Sequence, residues 1–151
     1  MTVTANNFVS VQNPGRCLVE FVGTTDATLT PKNLYVAGAN YGTLGVNGSD
    51  VWGLIAVNNG TTAHNVTLQI NNNGGTVLAQ INTVAVAANA GNNGTVTPVA
   101  LMAAAVAPGY PVDDNGNPYI RLNNGDTLSA KYATAQGTAE TLSLYGLTGD
   151  Y

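Results

Sequence analysis

Charge is what this sequence has least of. Only 8% of its 151 residues are Asp, Glu, Lys or Arg, against about 25% in an ordinary soluble domain. The four basic residues, Arg16, Lys32, Arg121 and Lys131, stand singly along the chain. Nucleic-acid binding draws on clustered Lys/Arg contacts to phosphate, and a membrane-surface patch needs the same clustering. The composition therefore argues against both partners. Cysteine is nearly missing as well. Cys17, in "RCLVEFVG", has no second thiol to bridge to, and is expected as a small buried apolar residue in a strand. The single histidine, His64, leaves the chain with two soft or imidazole ligands where a zinc site needs several. No apolar run approaches the roughly 18 residues of a membrane span, and "VALMAAAVA" is half that length. The opening "MTVTANNFVSVQ" has neither a charged n-region nor an apolar h-region, so synthesis in a cytoplasm is expected.

What fills the space left by charge is Asn and Thr, with 20 and 19 residues. Hydrophobic residues reach 44%, enough for a packed core, and the length suits one domain. Residues 17–151 are expected as a single antiparallel β-sandwich, jelly-roll-like, of eight or nine strands, with 1–16 as an extended arm or an edge strand. "HNVTLQIN" alternates, with Val66, Leu68 and Ile70 facing one way and Thr67 and Gln69 the other. "TLSAKYAT" does the same. "VWGLIAVN" is apolar on both faces, as a strand covered on both sides would be. "CLVEFVG", "KNLYVAG", "TVLAQIN", "TVAVAA", "PYIRL" and "TLSLYG" complete the set. Between them lie Asn-Gly turns at Asn47, Asn59, Asn73, Asn93, Asn115 and Asn124, where positive φ is tolerated. These six pairs are also prone to deamidation unless rigidly held. One stretch departs from strand patterning. "TPVALMAAAVAPG" has Thr97 as an N-cap, Pro98 at the first helical position and Pro108-Gly109 as a stop, giving a short helix near 98–106 or an irregular loop.

Residues able to do chemistry are few. His64 has no acid and nucleophile patterned around it, and is expected as a polar residue at a strand edge. Ser49-Asp50 lacks a nucleophile-elbow motif. In "VDDNGNPYI", Asp113, Asn115 and Asn117 have the alternate spacing of calcium-loop ligands. However, Pro118 replaces the required Gly and Asn124 the closing Glu, so an oxygen-rich turn is the expectation. The one neighbouring acid pair, Asp113-Asp114, falls in that turn, which leaves little for paired-carboxylate hydrolysis. "GANYGTLGVNGS" is glycine-rich but has neither phosphate-loop nor dinucleotide spacing. The four sequons, at Asn47, Asn59, Asn65 and Asn93, are read as chance in so Asn- and Thr-rich a chain. Trp52, in the most apolar strand, is expected in the core. No enzyme, cofactor or metal is expected.

Three stretches carry a resemblance: "TANNFVSVQ", then "LYVAGANYGTLGVNGSDVWGLIAVNNGTTAHNVTLQI", then "DDNGNPYIRLNNGDTLSAKYAT" with the closing "GDY". This order resembles small structural proteins of tailed bacteriophages, of the capsid decoration or cement type. The resemblance spans about two-thirds of the chain, through turns and strands rather than catalytic signatures. It implies a sandwich or jelly roll that binds the outside of an icosahedral shell as a dimer or trimer. There it would clamp neighbouring capsomers against genome pressure. The implied partners are the major capsid protein or other virion proteins, on the virion surface. A neck, tail or fibre-associated protein and a carbohydrate-binding or adhesin-like sandwich are the alternatives. Low charge fits a surface used for contact, since charge keeps free monomers apart. Phe8, Val9 and Val11 would make the apolar side of an arm that adds to a neighbour's sheet edge, with Asn13-Pro14-Gly15 as a turn after it. "GDY" is expected as the native end, with Tyr145 or Tyr151 packing against a neighbouring subunit.

Overall fold

The computed structural model describes residues 13–38, 48–103, 105 and 109–150, and these contain nine strands and no helix. They are β1 (Asn13–Val22), β2 (Lys32–Val36), β3 (Ser49–Asn58), β4 (His64–Asn71), β5 (Val77–Val86), β6 (Val99–Ala100), β7 (Tyr119–Leu122), β8 (Thr127–Tyr132) and β9 (Thr141–Asp150). Pairing is nested: β1 with β9, β2 with β8, β3 with β7 and β4 with β5, all antiparallel. A long ribbon of paired strands has thus been rolled over on itself. Rolling brings β9 against β3 and β8 against β4, which makes two sheets, β1-β9-β3 with β6 and β7, and β2-β8-β4-β5. This is the jelly-roll form of the β-sandwich.

Alternation decides what lies between the sheets, because successive strand side chains point to opposite faces. Cys17, Val19 and Phe21 of β1 face inward, as do Leu142 and Leu144 of β9, Val66 and Leu68 of β4, and Leu128, Ala130 and Tyr132 of β8. Each fully buried Leu, Val or Phe contributes about 1.5–3 kcal/mol relative to an exposed one. Phe21 and Tyr132 meet edge to face with ring centroids 5.1 Å apart, joining the two sheets, and the Tyr132 hydroxyl donates to the Asp26 carbonyl at 2.6 Å. The central strand β3 keeps apolar residues inward on both sides of a bulge. Its register with β9 shifts between Trp52 and Ile55, and Gly53 sits there at a φ of 64°, in the left-handed region open to glycine. One extra residue lets Val51 and Leu54 both face the core.

Three sequence expectations are corrected. Asn13, Pro14 and Gly15 do not turn; they are rungs of β1 opposite Asp150, Gly149 and Thr148. β9 runs long enough to pair them, and a proline is tolerated because β1 is a sheet edge. "TVLAQIN" and "TVAVAA" are one strand, β5, whose register shifts against β4 absorb the break in alternation. The short helix near 98–106 is absent from the described residues. Val99 and Ala100 instead pair with Ala56 and Ile55 as β6. The Leu101 amide donates to the Leu54 carbonyl at 2.9 Å, and Asn82 Nδ2 donates to the Leu101 carbonyl at 2.9 Å. Backbone groups that a helix would satisfy internally are taken by the sandwich, and the buried Leu101 and Met102 become part of the core. Positions 104 and 106–108 lie outside the described residues, as does the part of the expected arm before Asn13.

Candidate functional site

Residues directly opposite one another in a ladder share a face. On the outer side of the five-stranded sheet this produces two transverse rows. Leu18, Tyr145, Ile55 and Ala100 form one, across β1, β9, β3 and β6; Arg16, Leu147, Trp52 and Tyr119 form the other, ending on β7. Leu18 is 60% exposed, Tyr145 39% and Leu147 43%, while Trp52, Ile55 and Tyr119 are half-buried. The face is largely apolar, and charge lies at its margin. Arg121 forks onto Asp50, its partner across the ladder, with Nε–Oδ1 at 2.8 Å and Nη2–Oδ2 at 2.7 Å, and stands 5.4 Å from the Tyr119 ring centroid. Beside Trp52 and Ile55 the surface dips into a groove of about 270 Å³ walled by Met102, Ala103, Asn117 and Pro118.

Of the interface residues expected from sequence, Tyr145 is on this face. Phe8, Val9, Val11 and Tyr151 lie outside the described residues. Trp52 is not a core residue, because Val51 takes the inward position and the next side chain must point out. Leu18, Ile55 and Leu147 were not singled out. Their signal was present: once Cys17, Val19 and Phe21 are assigned to the core, alternation forces Leu18 to the outside.

The buried polar residues at the inner end of the same sheet bind one another. The Tyr35 hydroxyl and Ser49 Oγ both donate to Asp150 Oδ1, and the Gly38 amide donates to Ser49 Oγ at 3.0 Å. Burial raises the Tyr35 pKa, and the neighbouring Asp150 adds to the effect, so the phenol stays a neutral donor. A serine beside an acid invites a catalytic reading, but no imidazole stands between them. The cluster ties β2, β3 and β9 together across the sandwich.

Other titratable groups are also engaged structurally. His64 starts a strand, as expected, but is buried rather than at a polar edge. Its ring packs edge-on against Tyr132 and its Nδ1 lies 2.9 Å from the Thr134 carbonyl. A carbonyl only accepts, so Nδ1 carries the proton, and burial lowers the pKa in favour of the neutral ring. Asp113 Oδ1 accepts from the Asn115 and Asn117 amides at 2.9 and 2.8 Å, and Oδ2 from Asn117 Nδ2 at 3.0 Å. The residues with calcium-like spacing thus close a turn on one another. Among the described residues no three His, Cys, Asp or Glu side chains are grouped to hold a metal. Glu140 accepts from the Thr61 amide and hydroxyl and from the Gly137 amide, which holds its pKa below the usual carboxylate value. Burial pushes the Cys17 thiol up to about 12.

No family model, characterised protein or solved structure matches this chain. The outer sheet face is therefore judged on its own geometry.

Proposed function

We propose that this chain is a virion structural protein, a capsid decoration or cement protein that docks its outer sheet face on an assembled shell and stabilises contacts between capsomers. The observation that carries the reading is the row of Leu18, Tyr145 and Ile55 continued by Leu147 and Trp52, an apolar surface on a chain with only 8% charged residues. Contiguous exposed apolar area on a folded domain marks a contact surface. Jelly rolls recur in viral capsid and lectin domains, which supports the reading by analogy of fold. The chain is not an enzyme in this account, and its oligomer is a homodimer or homotrimer.

The test is co-sedimentation with assembled tailed-phage shells, together with the shells' melting temperature. Tyr145→Lys and Leu147→Lys should abolish binding and shell stabilisation while leaving the protein's own melting nearly unchanged, since both positions are exposed. A wild-type protein that ignores shells overturns the proposal. A second reading rests on Trp52, Tyr119 and Tyr145 sharing one face beside the Asn117-lined groove, an aromatic platform on which a sugar could stack. It predicts retention on a glycan array that Trp52→Ala removes.

A further inference from the structure

The six Asn-Gly pairs are not equivalent in the folded chain. Asn-Gly is chemically labile because the unhindered glycine nitrogen can attack the preceding side-chain amide. That attack needs the glycine N–H to be free. At Gly60 it donates to Asn58 Oδ1 at 2.8 Å, and at Gly74 to Asn72 Oδ1 at 3.0 Å. At Gly116 it donates to the Asp113 carbonyl at 2.9 Å, and at Gly125 to the Ala37 carbonyl at 3.2 Å. Asn59 Oδ1 accepts from one amide, that of Thr141, but the Gly60 nitrogen that would attack it is occupied. Gly94 differs: its N–H has no partner among the described residues. Asn47 of the sixth pair lies outside the described residues.

The carboxamide at Asn93 is also set up for attack. Its Oδ1 accepts from the Thr95 amide at 2.9 Å and the Val96 amide at 3.1 Å, while the residue itself is exposed to water. Two backbone N–H groups on a carbonyl oxygen stabilise the negative charge that develops when a nucleophile adds to its carbon. We propose that Asn93 is a built-in deamidation site, the first of the five described Asn-Gly pairs to convert. The Gly94 nitrogen gives up its proton to solvent and adds to Cγ of Asn93. The new Cγ–N bond replaces the Cγ–Nδ2 bond, and Nδ2 leaves as ammonia, producing a cyclic imide. Water then opens the imide at either carbonyl, giving aspartate or isoaspartate. One water is consumed and one ammonia released, with no change of oxidation state.

The consequence is a change of surface charge. From residue 51 to residue 112 the sequence contains no Asp, Glu, Lys or Arg, so conversion places a carboxylate in a stretch that has none. The experiment is peptide mapping by mass spectrometry of the intact chain aged in mildly alkaline buffer, alongside a parallel sample in denaturant. In the folded protein Asn93 should convert faster than Asn59, Asn73, Asn115 and Asn124 by about fivefold to tenfold, the weight of one net hydrogen bond that the others must first break. In denaturant the five rates should draw together. Equal rates in the folded protein, another of these pairs converting first, or an Asn93 as protected as the rest would each overturn the proposal.

Discussion

Gly146 offers a test of how tightly the two sheets meet. It faces inward on β9, opposite Cys17 of β1. A methyl group added there would lie 2.6 Å from Leu54 Cδ2, 3.2 Å from Leu54 Cγ and 3.1 Å from Cys17 Sγ. Two effects of opposite sign compete in Gly146→Ala. Restricting the unfolded chain favours alanine by about 0.4–1 kcal/mol. Forcing a methyl into a filled core costs about 1–3 kcal/mol. Leu54 is 1% exposed and its branched end is the nearest group to the added methyl, so the packing cost should win and leave a net loss of about 1–2 kcal/mol. For a chain of this length that lowers Tm by roughly 2–8 °C. Urea and thermal melts of Gly146→Ala, Leu54→Val and the double variant would measure it. Trimming Leu54 should make the second change less harmful than its effect in the wild type, a coupling of at least about 0.5 kcal/mol. A single variant more stable than wild type, or strictly additive effects, would refute the account of a filled interface at this position.

Burial raises the Cys17 pKa from 9.0 to about 12, so the stability it lends is complete below pH 9 and lost as pH rises toward 12. Three units correspond to about 4 kcal/mol at most, and Cys17→Ala should flatten the alkaline stability profile measured by urea melts across that window. The Glu140 pKa is lowered, so its contribution is present above its ordinary value of 4.5 and lost as pH falls through the folded value. Glu140→Gln should therefore lower Tm at neutral pH and converge with wild type in acid, and a constant gap at all pH values would count against the role of its charge. Phe21→Ala removes a fully buried ring that touches Tyr132 and should cost about 3–5 kcal/mol in chemical denaturation, while a loss under 1 kcal/mol would show that the two sheets do not depend on it.

Strand-level legibility was high where a single period governed. "HNVTLQIN" became β4 residue for residue, because alternation is a local property. "VWGLIAVN", by contrast, became a central strand that carries a bulge at Gly53 and is covered on one side only, with Trp52 and Ile55 half-buried on the other. "TVLAQINTVAVAA" looks like two strands because bulges shift the period, and only pairing with β4 shows the strand to be continuous. The helical reading of "TPVALMAAAVAPG" failed for a different reason. Cap-like residues and alanines favour a helix locally, but β3 and Asn82 offer the backbone better partners.

The same division runs through the candidate site. Composition alone marked a chain short of catalytic side chains and short of charge, and the Asn-Gly turns and most strand positions could be read directly. Which apolar residues face out together, Leu18 beside Tyr145 beside Ile55, depends on ladder register between strands distant in sequence. Trp52 moved from core to surface on the same ground. The protection of four Asn-Gly pairs and the exposure of Asn93 likewise depend on hydrogen bonds. Some of these are long-range, such as Gly125 to Ala37, while others are as local as Gly74 to Asn72. A sequence fixes period, turn chemistry and composition because these act over a few residues. Register, shared faces and the occupancy of each backbone donor are decided only when the ribbon rolls up, since each needs a partner that the local sequence does not contain.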